Sequence, residues 1–196
     1  MSHATNKKSP GDTQEQILSA TLSLFTEQGY FNTSVHDIAR ESAVSIGSIY
    51  HHFKDKEGVA RALYNDTLER MTSELANIKN NHNSAHDRCH AVIELLFTIT
   101  EHEPDIMEFM LYSKHREFLP NERPVCSSRP FEIMREFVQD GMNSGEIQNM
   151  DLMVASTCLF GGAIRMITSS MDGLLKRSLS SYLDEMWICS WRAVAT

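Results

Sequence analysis

The spacing of apolar residues predicts a chain built almost entirely of α-helices. From about residue 12 to residue 195, apolar positions recur every three or four residues, which is the period of one helix face. No segment sustains the alternation of apolar and polar residues that a half-buried strand shows. We therefore predict an all-α fold of about nine helices, with an N-terminal three-helix helix-turn-helix domain and a C-terminal helical domain.

Short polar residues mark where the first helices begin and end. Asp12 or Thr13 begins the first helix, and Gly29 suits the left-handed residue that follows it. Ser34, Ser45 and Asp55 are placed to cap the second, third and fourth helices, because a serine hydroxyl or an aspartate carboxylate accepts a hydrogen bond from a free N–H of the first turn. The predicted divisions are a disordered arm over 1–11, a helix-turn-helix domain over 12–57 and a second helical domain over 58–196.

The third predicted helix carries small and polar side chains on its outer face. The residues on this face are Ser45, Ile46, Gly47, Ser48 and His51. Small residues let a helix lie deep in the major groove of DNA, where side chains reach base edges. Hydroxyl groups, basic groups and helix N-termini are typical phosphate partners, and the candidates nearby are Thr33, Ser34, Tyr50 and Lys56. This part of the chain predicts an interface with double-stranded DNA.

Three of these candidates have an alternative interpretation. Tyr50 either contacts DNA or covers the domain core. The adjacent His51 and His52 point in different directions, and we assign His51 to the DNA face. Lys56 lies near the start of the fourth helix, where the helix dipole disfavours a cation, so a phosphate partner explains it better than solvent does.

The formal net charge of −8 is unevenly distributed. Residues 1–62 carry six Lys and Arg against seven Asp and Glu, and the remainder carries twelve against nineteen. The summed field does not favour DNA, so binding depends on a few directed donors. We expect a weaker salt dependence than a strongly basic protein has.

Residues 17–64 closely resemble the DNA-binding domain of the TetR/AcrR family of bacterial transcriptional regulators. The positions that carry the resemblance are Ala20, Leu24-Phe25, Gly29-Tyr30, Thr33-Ser34-Val35, Ile38-Ala39, Val44-Ser45, Gly47, Ile49-Tyr50, His52-Phe53 and Lys56-Glu57-Gly58. One position departs: the family usually has Ala-Gly where this chain has Ser42-Ala43. If that position needs a positive φ, Ala43 is strained by roughly 1 kcal/mol.

The resemblance implies a homodimer that reads a near-palindromic operator and binds a small molecule in its C-terminal domain. It implies DNA contacts at Thr33, Ser45, Gly47, Ser48, Tyr50, His51 and Lys56. The expected function is a ligand-responsive transcriptional regulator, in the simplest case a repressor that a small apolar effector releases. The alternative is a helical ligand-binding or adaptor protein that has lost sequence-specific DNA binding.

Nine of the eleven methionines lie beyond residue 100 and, together with phenylalanines, predict an adaptable apolar pocket. The candidate lining residues are Phe97, Met107, Met110, Phe131, Met134, Phe137, Phe160 and Arg165. The alternative is that the methionines are ordinary core residues. Arg165 either anchors an acidic ligand, pairs across a dimer or reaches solvent.

The last two helices are the predicted dimer interface. Two glycines inside a helix cost about 1 kcal/mol each relative to alanine, which close helix packing would justify. The predicted interface residues are Leu159, Gly161, Gly162, Ala163, Ile167, Leu183, Met186, Trp187 and Trp191. The alternative is tight packing within one chain.

Other classes of protein find little support. His86 and His90 share a helix face near Cys89, but spacing supplies no further ligand, so we predict no metal or other cofactor. No nucleophile–base pair or phosphate loop indicates an enzyme. No unbroken apolar run reaches the ~18–20 residues that span a membrane, and the start lacks a secretory signal. We expect a cytoplasmic protein with no membrane partner.

Overall fold

The computed structural model describes residues 10–196; the predicted arm lies outside the described residues over positions 1–9. Within 10–196 there are ten α-helices and no strand of a sheet. They are α1 Pro10–Gln28, α2 Val35–Ser42, α3 Ile46–Phe53, α4 Lys56–Asn81, α5 Ala85–His102, α6 Pro104–Tyr112, α7 His115–Phe118, α8 Arg129–Ser144, α9 Leu152–Met171 and α10 Leu183–Arg192. Short 3-10 turns cover Val125–Ser127 and Leu179–Tyr182. The predicted all-α fold is confirmed.

Most predicted helix ends are confirmed, with two differences. Gly29 follows α1 with φ +82°, and Asp55 Oδ1 accepts the N–H of Gly58 at 2.7 Å in the first turn of α4. Helix α1 begins at Pro10 rather than at Asp12, and a proline suits a first turn because the N–H it lacks has no partner there. Helix α7 was not predicted, because a single turn is too short to show a period.

The described chain forms two compact units. Unit 1 contains the residues up to Thr67 together with Leu111–Glu122, and unit 2 contains Leu68–Met110 and Arg123–Thr196. Helix α4 therefore contributes residues to both units. The short helix α7 belongs to unit 1, although unit 2 residues precede and follow its segment in the chain. The functional division at residues 57 and 58 stays a prediction.

Unit 1 is held together by a small apolar core shared by α1 to α4. Ile17, Ile38, Ile49 and Val59 have no exposed surface, and one comes from each of these four helices. Burying such side chains stabilises the fold by ~1.5–3 kcal/mol each. The core fixes the directions of α2 and α3 and leaves their outer faces to solvent.

Unit 2 gathers α5, α8, α9 and α10, and a carboxylate closes the start of α5. Glu146 accepts the backbone N–H groups of Ala85 at 3.1 Å and His86 at 3.0 Å. Burial alone would raise the pKa of Glu146, but these hydrogen bonds and one from Ser144 outweigh burial and lower it. A helix N-terminus also favours a negative charge. The residue thus stabilises α5 from a distant part of the sequence.

Helix α9 is longer than the unbroken apolar runs considered in the sequence. Among residues 10–196 it is the one helix long and apolar enough to cross a membrane by length and composition, with a mean hydropathy of 1.4 over 18 residues. Serines, threonines and glycines interrupt the apolar run without adding charge, and Arg165 is its one charged residue. Core helices of soluble proteins meet the same criterion, so this is weak support for a membrane span.

Candidate nucleic-acid interface

The start of α2 is closed by a capping box between Ser34 and Asp37. Ser34 Oγ accepts the N–H of Asp37 at 3.2 Å, while the Asp37 carboxylate accepts the N–H and the hydroxyl of Ser34 at 3.0 and 2.6 Å. The side-chain hydrogen bond from Ser34 lowers the pKa of Asp37. The Asp37 carboxylate therefore occupies the place where an anion would bind at the start of α2. Ser34 was predicted as a phosphate partner, but its N–H and its hydroxyl both donate to Asp37.

The turn between α2 and α3 depends on a left-handed alanine. Ala43 has φ 54° and ψ 30°, and its N–H donates to the carbonyl of Arg40 at 3.4 Å. The next N–H, of Val44, donates to the carbonyl of Ala39 at 3.2 Å. The turn does place Ala43 at a positive φ, so this alanine carries the expected backbone strain of about 1 kcal/mol. The turn forms despite the departure from the family pattern.

The outer face of α3 is open and carries small groups. Ser45 Oγ accepts the N–H of Ser48 at 3.2 Å, which caps α3 as predicted. Gly47 is exposed, and a Cβ atom added there would meet no other protein atom within 4 Å. Tyr50 is 48% exposed, so it does not cover the core.

The remaining predicted positions on α3 divide between solvent and core. His51 is exposed and His52 is half-buried, which agrees with the assignment of His51 to the outer face. Ile46 is half-buried and packs against the core of unit 1, so part of its side chain faces inward.

Thr33 and Lys56 have structural roles that the sequence did not reveal. Thr33 is 2% exposed, and its hydroxyl donates to the carbonyl of Gly29 at 2.9 Å, so it is not available to a phosphate. Lys56 Nζ donates to the carbonyls of Tyr30 at 2.9 Å and Thr33 at 2.8 Å. Burial lowers the pKa of Lys56. An ammonium has three donors, and these two carbonyls accept two of them.

The junction between α3 and α4 is unusually close. A Cβ at Gly58 would lie 1.8 Å from the carbonyl oxygen of Phe53, the last residue of α3. Lys54, which joins the helices, has φ 68° and ψ −48°. Only a glycine at position 58 permits this approach, so the junction holds the two helices in one arrangement.

Three exposed side chains of the same motif were absent from the prediction. His36 lies in the first turn of α2, Lys54 follows α3, and Arg40 forms an ion pair with Asp37 at 2.7 Å. All are basic or imidazole groups exposed within the helix-turn-helix region, and their residue type is the one signal by which the sequence could have identified them.

The predicted effector-pocket residues lie in unit 2 and most are buried. Phe97, Met107, Met134, Phe137 and Phe160 are at most 5% exposed. Met110 and Phe131 are half-buried, whereas Arg165 is exposed and its Nη1 donates to Thr168 Oγ1 at 3.3 Å. Among the described residues of unit 2, no charged side chain is fully buried. The interior is mainly apolar, with buried hydroxyl groups at Thr100, Ser128 and Ser190, and Arg165 is exposed to solvent.

The predicted dimer residues divide into inward and outward positions. Leu159, Ala163 and Ile167 have no exposed surface, because they face the interior of unit 2. A Cβ at Gly162 would lie 2.6 Å from Met186 Cε, so this glycine serves α9–α10 packing within the chain. A Cβ at Gly161 would meet only Thr157 of its own helix, at 3.4 Å.

The two tryptophans predicted on α10 form an aromatic cluster with His86 and His90, the histidines for which the sequence predicts no metal. Trp187 is 7% exposed and stacks on the half-buried Trp191 at 5.3 Å. Trp187 Nε1–H donates to His86 Nε2 at 3.1 Å, and the ring of His90 lies 5.2 Å from that of Trp187. Leu183 and Met186 are half-buried. These histidines are part of the packing of α5 against α10.

Comparison with known proteins agrees with this geometry. The family described as bacterial regulatory proteins, tetR family, matches residues 17–63, which span α1 to the start of α4. The HTH-type transcriptional regulator BetI of Klebsiella pneumoniae is 31% identical over 142 residues, which are 65% of this chain and 71% of BetI.

The chain belongs to the tetR family.

The resemblance found in the sequence is thereby confirmed, and members of the tetR family are helix-turn-helix transcriptional regulators. The HTH-type transcriptional regulator HbdR of Aromatoleum sp. is 36% identical over 89 residues, 45% of this chain. That alignment spans 39% of HbdR, less than half its length.

Solved structures show that the same fold extends over most of the chain, beyond the residues that the family model matches. The fatty acid degradation regulator FadR of Bacillus halodurans has a TM-score of 0.81 at 20% identity, over 95% of this chain and 97% of that one. FadR of Bacillus subtilis, solved in complex with stearoyl-CoA, has a TM-score of 0.74 at 22% identity, over 90% and 96%. At these identities the likeness concerns the fold.

Proposed function

We propose that this tetR-family protein binds a near-palindromic DNA operator as a homodimer, and that a small apolar effector releases it, so that it acts as a repressor. The main observation in support of DNA binding is the outer face of α3. Gly47 is exposed and no protein atom lies near its missing Cβ, so packing does not require a glycine there. The close approach of a major groove explains it. Such a regulator works in the bacterial cytoplasm.

Directed contacts by α3 and its neighbours suit an acidic protein. We assign base or phosphate contacts to Ser45, Ser48, Tyr50 and His51, and a phosphate contact to Lys56. The alternative, an adaptor protein without DNA binding, was suggested by Ser42-Ala43, which replaces the Ala-Gly that is usual in the family. Ala43 adopts the left-handed conformation and keeps its turn hydrogen bond, which favours the DNA-binding proposal.

The dimer proposal is supported by the outward face of α9. Met153 and Val154 are 58% and 54% exposed, and Cys158, Gly161 and Arg165 follow at helical spacing. Gly161 has no neighbour beyond its own helix, which suits close packing against a second copy. We expect Val154→Glu to convert the dimer to a monomer in light scattering after size exclusion, while Leu174→Glu, at a residue 64% exposed outside α9, leaves it dimeric.

The effector proposal is supported by the apolar interior of unit 2. With no buried charge to pair with, a bound molecule must place its apolar part inside and any charged group at the surface. FadR of Bacillus subtilis was solved with stearoyl-CoA, and we therefore take a long-chain acyl thioester as the first effector class to test. Release of DNA by stearoyl-CoA but not by coenzyme A supports this class; release by neither redirects the search to other apolar molecules.

Selection of bound sequences from random duplex DNA tests the main proposal. An enriched palindrome supports a sequence-reading dimer, and absence of enrichment with weak salt-sensitive binding supports the adaptor instead. On the selected operator, Ser48→Ala should change sequence preference, whereas Tyr50→Phe should weaken cognate and random DNA alike. Tyr182→Phe, the same substitution in unit 2, is the control. Equal losses on both DNAs from Ser48→Ala contradict its role in reading bases.

A further inference from the structure

The ring of Tyr30 is enclosed by groups from three separate parts of unit 1. Phe118 stacks on it with a centroid distance of 4.3 Å and an interplanar angle of 11°. The ammonium of Lys56 lies over the same ring, 4.1 Å from its centroid. The Tyr30 ring therefore contacts both a stacked ring and a cation. Phe25 and Phe31 meet the ring edge-on, at 5.4 and 5.2 Å.

The ammonium in this stack also fixes the backbone next to it. Lys56 begins α4, and its hydrogen bonds to the carbonyls of Tyr30 and Thr33 tie the α1–α2 turn to that helix. Thr33 directly precedes Ser34, the N-cap of α2. A cation held against an aromatic face is stabilised by the ring, more strongly when it is withdrawn from water. Burial lowers the pKa of Lys56, which agrees with a partly desolvated ammonium.

Phe118 comes from a segment that lies far along the chain from the rest of unit 1. It is 7% exposed and also meets Phe25, with ring centroids 6.3 Å apart. Its segment, 111–122, makes two further contacts with α4: an ion pair between Arg61 Nε and Glu122 Oε1 at 3.2 Å, and a ring contact between His115 and Tyr64 at 4.9 Å. The segment is therefore attached along its length to the helix-turn-helix unit.

We propose that Phe118 is a positioning residue for DNA binding, which acts by holding Tyr30 against Lys56. The stack sets the start of α2 and the start of α4, the two helices that flank α3 in sequence. The inference rests on the proposed DNA binding.

The test compares variants of Phe118 on the selected operator by fluorescence anisotropy, at a temperature where circular dichroism shows each variant folded. Phe118→Leu keeps an apolar side chain but loses the stack, and should weaken binding about three- to tenfold, the factor that corresponds to one aromatic pair. Phe118→Tyr keeps the ring and should bind within about twofold of the unaltered protein. Leu119→Ala, at a neighbour 1% exposed, is the control for lost burial and should also bind normally. Normal binding by Phe118→Leu, or an equal loss in Leu119→Ala, overturns the inference.

A second readout separates this inference from the proposed function. The ε-protons of Lys56 lie near the face of Tyr30, so their NMR signals should be shifted upfield by the ring current and return toward ordinary values in Phe118→Leu. Unshifted signals in the unaltered protein, or signals that do not move in the variant, overturn the stack even if no DNA is bound. Should Phe118→Leu fail to fold, Tyr30→Leu removes the same contact from the other side and should produce the same loss of affinity. No DNA binding by the unaltered protein, with shifted Lys56 signals, contradicts the proposed function instead.

Discussion

Replacing Ala43 by glycine should stabilise the protein. At φ 54° and ψ 30° the alanine Cβ is crowded by backbone, which costs ~1–2 kcal/mol for an L-residue. Glycine removes that cost but adds ~0.4–1 kcal/mol of chain entropy in the unfolded state. Ala43 is exposed, so no packing is lost. The expected net gain is about 0.5–1 kcal/mol in the free energy of unfolding.

Urea denaturation followed by far-UV circular dichroism measures this gain. The midpoint should rise while the slope with denaturant stays the same, which identifies a change in stability rather than in compactness. A gain of 1 kcal/mol corresponds to ~2–4 °C in the melting temperature for a chain of this length. Operator affinity should be unchanged, because the N–H that Ala43 donates to Arg40 is kept.

Gly29→Ala is the matched control. Gly29 has φ +82°, and a Cβ there would meet no atom within 4 Å, so the substitution changes backbone strain alone. It should lower the free energy of unfolding by about as much as Ala43→Gly raises it. If the Ala43→Gly midpoint is unchanged or lower while Gly29→Ala destabilises, the strain assigned to Ala43 is refuted.

Three further predictions concern single side chains. Gly47→Ala should keep or raise the urea midpoint, because alanine favours a helix by up to ~1 kcal/mol relative to glycine. It should nevertheless weaken operator binding, because it adds a methyl group on the outer face of α3. Equal operator affinities of the variant and the unaltered protein in anisotropy titrations would argue against a close approach of DNA to this face. Gly58→Ala should lower the free energy of unfolding by about 2–3 kcal/mol, since its Cβ would lie 1.8 Å from the Phe53 carbonyl oxygen, and an unchanged midpoint would contradict that contact. Glu146→Gln should destabilise the protein near pH 7. Because folding lowers the pKa of Glu146 from 4.5, the stability that this carboxylate contributes is present above pH 4.5 and is lost as the pH falls through the folded pKa. The urea midpoints of the two proteins should therefore converge in acid, and a constant difference would count against the cap.

The ends of several helices could be predicted from the sequence, because they depend on local chemistry. The direction in which a side chain points could not be predicted. Ser34, Ser45 and Asp55 cap helices as predicted, because capping depends on residues within one turn. Thr33 carries a hydroxyl suited to phosphate, yet its burial is decided by how α1 meets the turn. The same limit applies to Leu159, whose helix was predicted but whose inward face depends on the packing of α5, α8 and α10 in unit 2.

The placement of Phe118 in unit 1 has a consequence for biosynthesis and for protein engineering. As the ribosome extends the chain, the helix-turn-helix cannot acquire its last aromatic partner until residue 118 has emerged, long after Tyr30. Bringing Phe118 onto Tyr30 closes a long loop of the chain, and the entropy lost in closing it opposes the formation of this contact. A chimaera that joins residues 1–67 to the second unit of another regulator would inherit the recognition helix without the ring that stacks on Tyr30. A graft that includes segment 111–122 keeps the unit whole.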